Sequence, residues 1–565
     1  MSIRKITLFF FSFLFALGVS AAKEPKKVGA AKKAVATVLA YKDGKLLRNG
    51  TGVYSGAGEL LASYSLFLGA DSAVAITPDG ISRSVQRIIG ANDIYDCIKL
   101  RTESDRKQES LRLATAVAAQ GETLYLVTYG AKKSGAVESL KIAAVSKVGG
   151  VPYYTFSFSM QDRYLSAPLV NGNGELVALM QPTAPGDTVN SYAVGATLAA
   201  GLATTSLTYG SEVFRKTDIP VALPASQKEA LTTLYLLQGY AYTEKRDRYL
   251  QPLDEYCELY PDSYEGYLMR AEYLALADSA FDDAHREWNK ALKLSDKRDD
   301  VHYNISKVYT TMLSRATGDD ELQQMRDSAI VHIVKAVDIK PEPLYIQHKA
   351  ELLYAKGDYA SSFECYMALS QTNMGGAVTF VAASRCKEAL EEWDEAIVCM
   401  DSAVNTFGED GASLAAPYII HRAMLKQRAK RYREAVVDYN AYAALREGQL
   451  NANFYYSREQ AEFEAKMYQQ AIDDIEMALY LQPDELLYLI EKGRLCYKVK
   501  LVDEALSALL RAAEISSDSP DAYYMIARCY MVKGDKAAAK ANMLRAKELG
   551  HFDAEARLQE IETMQ

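Results

Sequence analysis

The chain has 565 residues, of which 49% are hydrophobic and 24% are charged, with a formal net charge of −9. This composition is that of a soluble globular protein, and it excludes a membrane protein with many spans, a collagen-like chain and a largely disordered one. The length predicts several domains, or one domain followed by a long array.

The N-terminal residues 1–22 have the pattern of a secretory signal. Two basic residues, Arg4 and Lys5, precede an apolar stretch that runs to Val19, and a small-residue cleavage site follows. The apolar stretch is too short to cross a bilayer, which takes about 20 helical residues. We therefore expect residues 23–34 to be a linker and the mature protein to be exported, either to the periplasm or outside the cell.

Residues 35–207 are rich in β-branched residues, glycines and short alternating runs, a pattern that predicts an all-β barrel or sandwich. Predicted strands include residues 37–41, 72–76 and 123–127. Residues 168–180 hold two Asn-Gly pairs between apolar runs. Because Asn-Gly readily adopts the positive φ angles of a tight turn, this stretch predicts a hairpin.

Three segments of this half occur in the order found in the trypsin-like serine peptidases of bacteria. Residues 51–70 are similar to the strand that leads into the catalytic histidine, and residues 94–100 to the strand that bears the catalytic aspartate. Residues 165–170 resemble the segment after the nucleophile, where the family has Gly-x-Ser-Gly-Gly-Pro-Leu. The resemblance implies a double β-barrel.

The same resemblance places the catalytic histidine at Ser65, the aspartate at Asp96 and the nucleophile at Leu165. The two glycines after the nucleophile, which aim backbone N–H groups at an oxyanion, are replaced by Ser166 and Ala167. The chain has no histidine before residue 285, so a Ser-His-Asp or Cys-His site cannot form within this half. We predict a protease-like domain without catalytic activity, whose triad positions are vestigial.

One alternative is a serine hydrolase with a non-standard base, in which Ser166 is the nucleophile. The base would be a lysine such as Lys99, or a histidine from the second half such as His285 or His302. A catalytic lysine would need burial beside the serine to lower its pKa. A second alternative, based on export and the 39 tyrosines, is a protein that binds the cell wall or a polysaccharide.

After a predicted linker at residues 208–225, the period of the sequence becomes helical from residue 226 to the end. A four-residue unit of a large residue, two variable residues and a small residue recurs. Its copies begin at Phe281, Met325, Tyr359, Trp393, Tyr432, Tyr468, Val502 and Lys536. Successive starts lie 44, 34, 34, 39, 36, 34 and 34 residues apart. Another small residue stands twelve positions before the small residue of several units, at Ala350, Ala423, Gly493 and Ala527.

This second half resembles the tetratricopeptide repeat (TPR) family, whose unit is a 34-residue helix–turn–helix. The resemblance implies an all-α solenoid over residues 226–565, wound as a right-handed superhelix. It would hold eight or nine repeats and a C-terminal capping helix. It also implies a groove, lined mainly by the first helix of each pair, that binds a protein or peptide partner. Candidate groove residues are Tyr267, Arg270, Tyr303, Tyr345, His348, Arg422, Tyr456, Arg458 and Arg494.

The charges differ between the two halves. Residues 23–209 hold 20 basic and 15 acidic residues, and residues 210–565 hold 42 basic and 58 acidic residues. An acidic second half disfavours nucleic-acid binding. No phosphate-binding loop follows a strand, and no His or Cys pair has metal-ligand spacing, so we expect neither a cofactor nor a metal. The sequence predicts an exported, non-enzymatic interaction scaffold, soluble and associated with an envelope complex.

Overall fold

A computed structural model describes residues 25–103, 108–128, 137–183, 186–408 and 411–563. The predicted secretory signal lies outside these residues. No helix within them combines the length and the apolar character needed to cross a bilayer. The chain divides into two compact units, Met1–Ser295 and Asp296–Gln565.

In the described part of the first unit, twelve strands form two closed barrels of six strands each. The first barrel has the strand order β1-β2-β3-β6-β5-β4. Its strands are β1 Val35–Lys42, β2 Lys45–Gly56, β3 Glu59–Ala62, β4 Ser72–Ile76, β5 Ser82–Asn92 and β6 Cys97–Thr102. Alternate side chains of these strands point inward, and the interior is filled by residues such as Val38, Tyr54 and Leu60.

The second barrel has the order β10-β11-β12-β9-β8-β7. Its strands are β7 Thr123–Val127, β8 Val137–Val148, β9 Val151–Phe156, β10 Pro168–Val170, β11 Leu176–Gln181 and β12 Ser191–Gly195. The predicted hairpin at residues 168–180 is confirmed, because β10 and β11 pair antiparallel. Gly174 supplies the positive φ angle of its turn, at 75°. The double barrel confirms the fold class expected from the sequence.

The two barrels pack against each other through one shared apolar core. Val53 and Leu61 of the first barrel and Val170 and Leu179 of the second belong to the same buried cluster. A site at this junction would therefore have rigid walls on both sides.

The described residues of the two segments predicted as linkers are packed in the structure. Helix α1, Lys26–Ala31, buries Val28 in the core between the barrels. Helix α2, Glu212–Arg215, buries Phe214 in the core of the first barrel, which also includes Ile219. The chain between the second barrel and the next helices is thus part of the first compact unit, which extends to Ser295.

Two helix pairs complete the first unit. The first pair is α3 Gln227–Leu237 with α4 Asp247–Leu259, and the second is α5 Tyr264–Leu276 with α6 Phe281–Leu294. The carboxylate of Glu255 on α4 lies 3.3 Å from the guanidinium of Arg87 on β5. Since Glu255 is only 6% exposed, this contact holds α4 against the first barrel.

The described part of the second unit is all-α. It contains the pairs α7 Arg298–Leu313 with α8 Asp319–Ile339, α9 Pro343–Lys356 with α10 Tyr359–Leu369, α11 Ala377–Ala389 with α12 Trp393–Asn405, α13 Ala412–Arg428 with α14 Tyr432–Leu445, α15 Ala452–Glu464 with α16 Tyr468–Leu481, α17 Leu486–Lys498 with α18 Val502–Ile515, and α19 Pro520–Lys533 with α20 Lys536–Glu548, followed by α21 Ala554–Thr563. Each helix packs on its sequence neighbours, which is the arrangement of a solenoid.

The repeated four-residue unit marks the start of the second helix in nearly every pair. Seven of its eight copies open a helix, at α6, α10, α12, α14, α16, α18 and α20. The copy at Met325 is the exception, because α8 begins at Asp319 and Met325 lies within it. The helix α8 has 21 residues, so this pair is longer than the 34-residue repeat allows.

The small residues of the repeat lie where the two helices of a pair cross. The hydroxyl of Ser362 on α10 donates a hydrogen bond to the carbonyl of Ala350 on α9 at 2.8 Å, and both residues are fully buried. A Cβ at Gly493 on α17 would overlap the side chain of Leu509 on α18. Close approach of the backbones is therefore the physical reason for the small-residue period.

Candidate functional site

The junction of the barrels brings together Ser65 and Asp96, the first two triad positions implied by the sequence. Asp96 lies in the turn between β5 and β6 and accepts the N–H of Ser65 at its Oδ1, at 2.6 Å. Its Oδ2 accepts the hydroxyl of Ser65 at 3.0 Å and a close hydrogen bond from the hydroxyl of Ser63. The carboxylate is thus bound by three donors and orients no imidazole.

Ser65 follows β3 in a short 3-10 turn, at the place of the family histidine. Its side chain is a hydroxyl, which is a far weaker base than an imidazole, so Ser65 cannot take a proton from a nucleophile as a histidine does. The half-buried Ser65 and the buried Ser63 instead form a hydroxyl pair on one carboxylate.

Leu165, at the place of the family nucleophile, carries an apolar side chain that packs against the core of the first barrel. It follows the 3-10 turn Asp162–Tyr164, which connects β9 to β10. The space that a reactive hydroxyl would need is therefore occupied by hydrocarbon in this structure.

Ser166, the alternative nucleophile, is 1% exposed and has a positive φ of 61°. Its Oγ accepts the backbone N–H of Ser63 at 2.5 Å, which joins the second barrel to the first. The hydroxyl is hydrogen-bonded and closed off from solvent, and no described side chain that could act as a base is bonded to it.

The backbone N–H groups around this position are also engaged. The N–H of Tyr164 donates to the carbonyl of Gln161 at 2.8 Å, and that of Leu165 to Asp162 at 3.1 Å. The N–H groups of Ser166 and Ala167 donate to Met180 at 3.1 Å and to Tyr164 at 2.9 Å. An oxyanion hole requires free N–H groups aimed at the reacting centre, and these four are turned inward.

The two proposed non-standard bases of the first unit are engaged elsewhere. The Nζ of Lys99 on β6 lies 2.8 Å from the carboxylate of Glu59 on β3. The ring of His285 on α6 packs edge-on against Trp288, with ring centroids 5.1 Å apart. In the second unit, His302 Nδ1 lies 3.0 Å from Nδ1 of His332.

The arginines predicted to line the groove of the array form ion pairs within their own unit. Arg422 on α13 makes two hydrogen bonds to Asp438 on α14, at 2.8 and 2.7 Å, and a third to Asp401 on α12, at 2.7 Å. Arg458 on α15 binds Asp474 on α16 in the same bidentate way, at 2.6 and 2.7 Å. Both pairs join the two helices of one repeat.

Arg494 and Arg270 each pair with a carboxylate of their own unit. The guanidinium of Arg494 lies 2.6 Å from the carboxylate of Glu491 and 4.4 Å from the ring centroid of Phe463. Arg270 on α5 lies 2.8 Å from the carboxylate of Asp254 on α4.

The sequence contains a signal for the two bidentate pairs, since an aspartate stands 16 residues after Arg422 and after Arg458.

The aromatic candidates form ring pairs. Tyr303 on α7 has its ring 4.7 Å from that of Tyr345 and 5.7 Å from that of His348, both on α9. Tyr456 lies 5.2 Å from Tyr488, and the Tyr267 hydroxyl donates to the carbonyl of Pro261 at 3.0 Å. Burial lowers the pKa of His348. Partner binding by these residues stays a prediction.

Comparison with solved structures found matches of low sequence identity and low TM-score. A serine endoprotease from Yersinia pestis matches 31% of this chain and 63% of its own, at 16% identity and a TM-score of 0.28. The active form of the Rv3671c protease from M. tuberculosis matches 32% of this chain and 86% of its own, at 16% identity and a TM-score of 0.29. Its inactive form matches at 14% identity and a TM-score of 0.27, over 32% of this chain and 91% of its own.

The chain therefore spans less than two thirds of the Yersinia protease. No protein-family model matches the chain. No curated protein matches it either.

Proposed function

We propose that this protein is an exported, non-enzymatic scaffold. Its double barrel holds a vestigial protease site, and its helical half is a TPR array that binds a protein or peptide partner. The observation that carries the proposal is the hydrogen bonding at the barrel junction. Asp96 is bound by serines where the family has a histidine, and Ser166 is bound by the N–H of Ser63.

Three further features of the junction support the absence of catalysis. The position of the nucleophile holds Leu165, the neighbouring N–H groups donate inward, and residues 1–284 contain no histidine. Acyl transfer needs a nucleophile, a base and an oxyanion hole together. Instead, we assign Ser63 and Ser65 a structural role. Their hydrogen bonds to Asp96 connect the segment after β3 to the turn between β5 and β6, and the N–H of Ser63 connects the same segment to Ser166, just before β10.

The binding role of the array rests on its architecture. Helix pairs with a 34-residue period and small residues at the crossings support the TPR assignment. Solenoids of this kind expose a long surface to which a partner can bind. Export follows from the pattern of residues 1–22, and with it a periplasmic or extracellular location.

The test has two arms on the full-length mature protein. In the first, a fluorophosphonate probe and a casein digest report a reactive serine, and we expect neither labelling nor cleavage. Labelling that disappears in a Ser166→Ala variant would establish the hydrolase instead. In the second arm, the tagged protein is cross-linked in its native envelope and purified. We expect a stoichiometric protein partner, whereas co-purified glycan without protein would favour the polysaccharide binder.

A further inference from the structure

A cavity of about 790 Å³ lies in the first unit, between the segment at residues 206–221 and helices α3 and α4. All of its lining residues belong to the first unit, and none of them is one of the junction residues Ser63, Ser65, Asp96, Leu165 or Ser166. We call it the α3–α4 cleft. Its size is that of sites that bind small molecules or short peptides.

Both walls of the α3–α4 cleft are fixed by hydrogen bonds and burial. On one wall, the carbonyl of Pro220 accepts the N–H of Ile88 and the N–H of Ala222 donates to Ile88, each at 2.8 Å. On the other wall, Glu255 is bound to Arg87 and accepts the N–H of Leu223 at 3.4 Å. The cleft is therefore formed in advance, which lowers the entropy cost of binding.

The inside of the cleft is mainly apolar and its mouth exposes leucine side chains. Phe214, Ile219 and Pro252 form buried parts of the wall. Leu207 is 89% exposed and Leu236 is 63% exposed, although both line the cleft. Covering such side chains with an apolar ligand is favourable, because it removes hydrocarbon from water.

The rim of the cleft carries two arginines that have no carboxylate partner among the described residues. Arg215 is exposed, and its Nε donates to the carbonyl of Gly210 at 2.8 Å, which leaves the terminal nitrogens of the guanidinium unbound. Arg248 is exposed and lies 5.9 Å from the ring centroid of Tyr240. A guanidinium group binds a carboxylate with two parallel hydrogen bonds.

The acidic residues of the rim do not cancel these charges. Asp218 is paired with Lys42 at 2.8 Å. Asp247 is the first residue of α4, where a negative charge is favoured by the helix dipole. The rim thus complements an anionic group.

We infer that the α3–α4 cleft binds the end of a short apolar peptide, with the free C-terminal carboxylate at Arg215 and Arg248 and aliphatic side chains against Leu207 and Leu236. The lining also includes Ser206, Ser211 and Gln251, whose polar groups can bind peptide amides but offer nothing to a fatty acyl chain. None of the residues that line the cleft is one of the candidate groove residues, and the assignment does not depend on the proposed function.

The test measures fluorescence anisotropy of a fluorescein-labelled hexapeptide, Gly-Ser-Ala-Leu-Val-Leu, on the full-length mature protein. We expect the free-carboxylate peptide to bind at least about tenfold more tightly than its C-terminal amide. The double variant Arg215→Gln and Arg248→Gln should remove that difference, and Leu236→Asp should abolish binding. Thermal melts confirm that each variant is folded, and Leu207→Asp replaces Leu236→Asp if the latter is not.

The matched control is Leu414→Asp, which places the same charge on a 68% exposed leucine of α13 in the second unit. Binding should be unchanged in this variant. Equal affinity for the amide, binding unaffected by the cleft variants, loss of binding in Leu414→Asp, or displacement of the peptide by dodecanoate at equal concentration would each overturn the assignment.

Discussion

At the scale of single residues, the carboxylate of Asp96 holds a turn against the segment that follows β3. Its carboxylate accepts one backbone N–H and two hydroxyl groups, all from the chain that follows β3. Asp96→Ala would leave these part-buried donors without an acceptor. We expect a loss of about 1–3 kcal/mol in the free energy of unfolding, measured by urea titration with a probe on the barrels. The control is Asp93→Ala in the same turn, whose exposed side chain should contribute no more than about 0.5 kcal/mol.

Ser166 gives a second prediction for a single residue, because its hydroxyl and its backbone conformation affect the free energy of unfolding independently. Its Oγ accepts the N–H of Ser63, and its φ of 61° is unfavourable for any residue with a Cβ. Ser166→Ala loses the acceptor and keeps the strain, so we expect it to cost about 1–3 kcal/mol. Ser166→Gly loses the acceptor but removes the strain, and should be the more stable of the two in urea. The reverse order would show that the left-handed backbone is not strained there.

At the scale of elements, the bidentate pairs join the two helices of a repeat. Asp474 is 5% exposed and binds the guanidinium of Arg458 through both oxygens. Arg458→Met would leave that carboxylate buried without its counter-ion, and should cost about 3–5 kcal/mol. Arg511→Met removes an ion pair whose side chains are 51% and 76% exposed, and should cost less than about 1 kcal/mol. Hydrogen exchange measures the free energy of opening, in α15 and α16 for Arg458→Met and in α18 for Arg511→Met.

The neighbouring carboxyl groups make the same repeat sensitive to pH. Glu459 is fully buried on α15, and burial raises its pKa from 4.5 to about 7. Burial also raises the pKa of Glu462 on that helix, and Asp474 adds to the effect. These carboxyl groups face Arg458 of α15, Asp474 of α16, and Arg494 and Glu491 of α17. The two arginines lower the pKa values of the carboxyl groups, but by less than burial raises them.

Since the folded pKa of Glu459 exceeds the unfolded one, its contribution to stability is complete below pH 4.5 and is lost as the pH rises through about 7. We expect the free energy of opening of α15–α17 to fall by at least about 1.4 kcal/mol between pH 5 and pH 8.5. Hydrogen exchange, corrected for the intrinsic rates, measures it. In the double variant Glu459→Gln and Glu462→Gln the dependence should disappear. A pH dependence that survives in this double variant would show that groups other than Glu459 and Glu462 cause it.

The elements also show what the sequence can and cannot predict. The small-residue period located the start of α10, α12 and α18, because backbone contact at a crossing excludes larger side chains. It misplaced α8, since a longer helix shifts the unit away from the helix start. The positions Ser65 and Asp96 followed from local pattern, but the hydrogen bond from Ser63 to Ser166 joins residues 103 apart and depends on how the barrels pack. Residue type alone likewise did not show that Arg422 and Arg458 bind acids of their own repeats.

At the scale of the whole molecule, the helical array should respond to damage locally. In the second unit each pair packs on its sequence neighbours, and α21 covers the last pair by burying Ala554 and Ile561 against Met543. In such an array stability is approximately a sum of repeat terms and nearest-neighbour terms. A defect in α21 should therefore weaken α19 and α20 most and should leave the barrels unchanged.

Ile561→Asp tests this expectation, because it places a charge at a fully buried position of α21. We expect faster hydrogen exchange in α19–α21, a smaller change in α17 and α18, and none in β1–β12, because the cost of an unpaired buried charge falls on the helices around it and is passed on only through neighbouring pairs. Glu555→Ala is the matched control in α21, as its exposed carboxylate binds Lys547 only at the surface. A uniform loss of protection from β1 to α21 would mean that the barrels and the array unfold as one cooperative block, and the nearest-neighbour description would then fail.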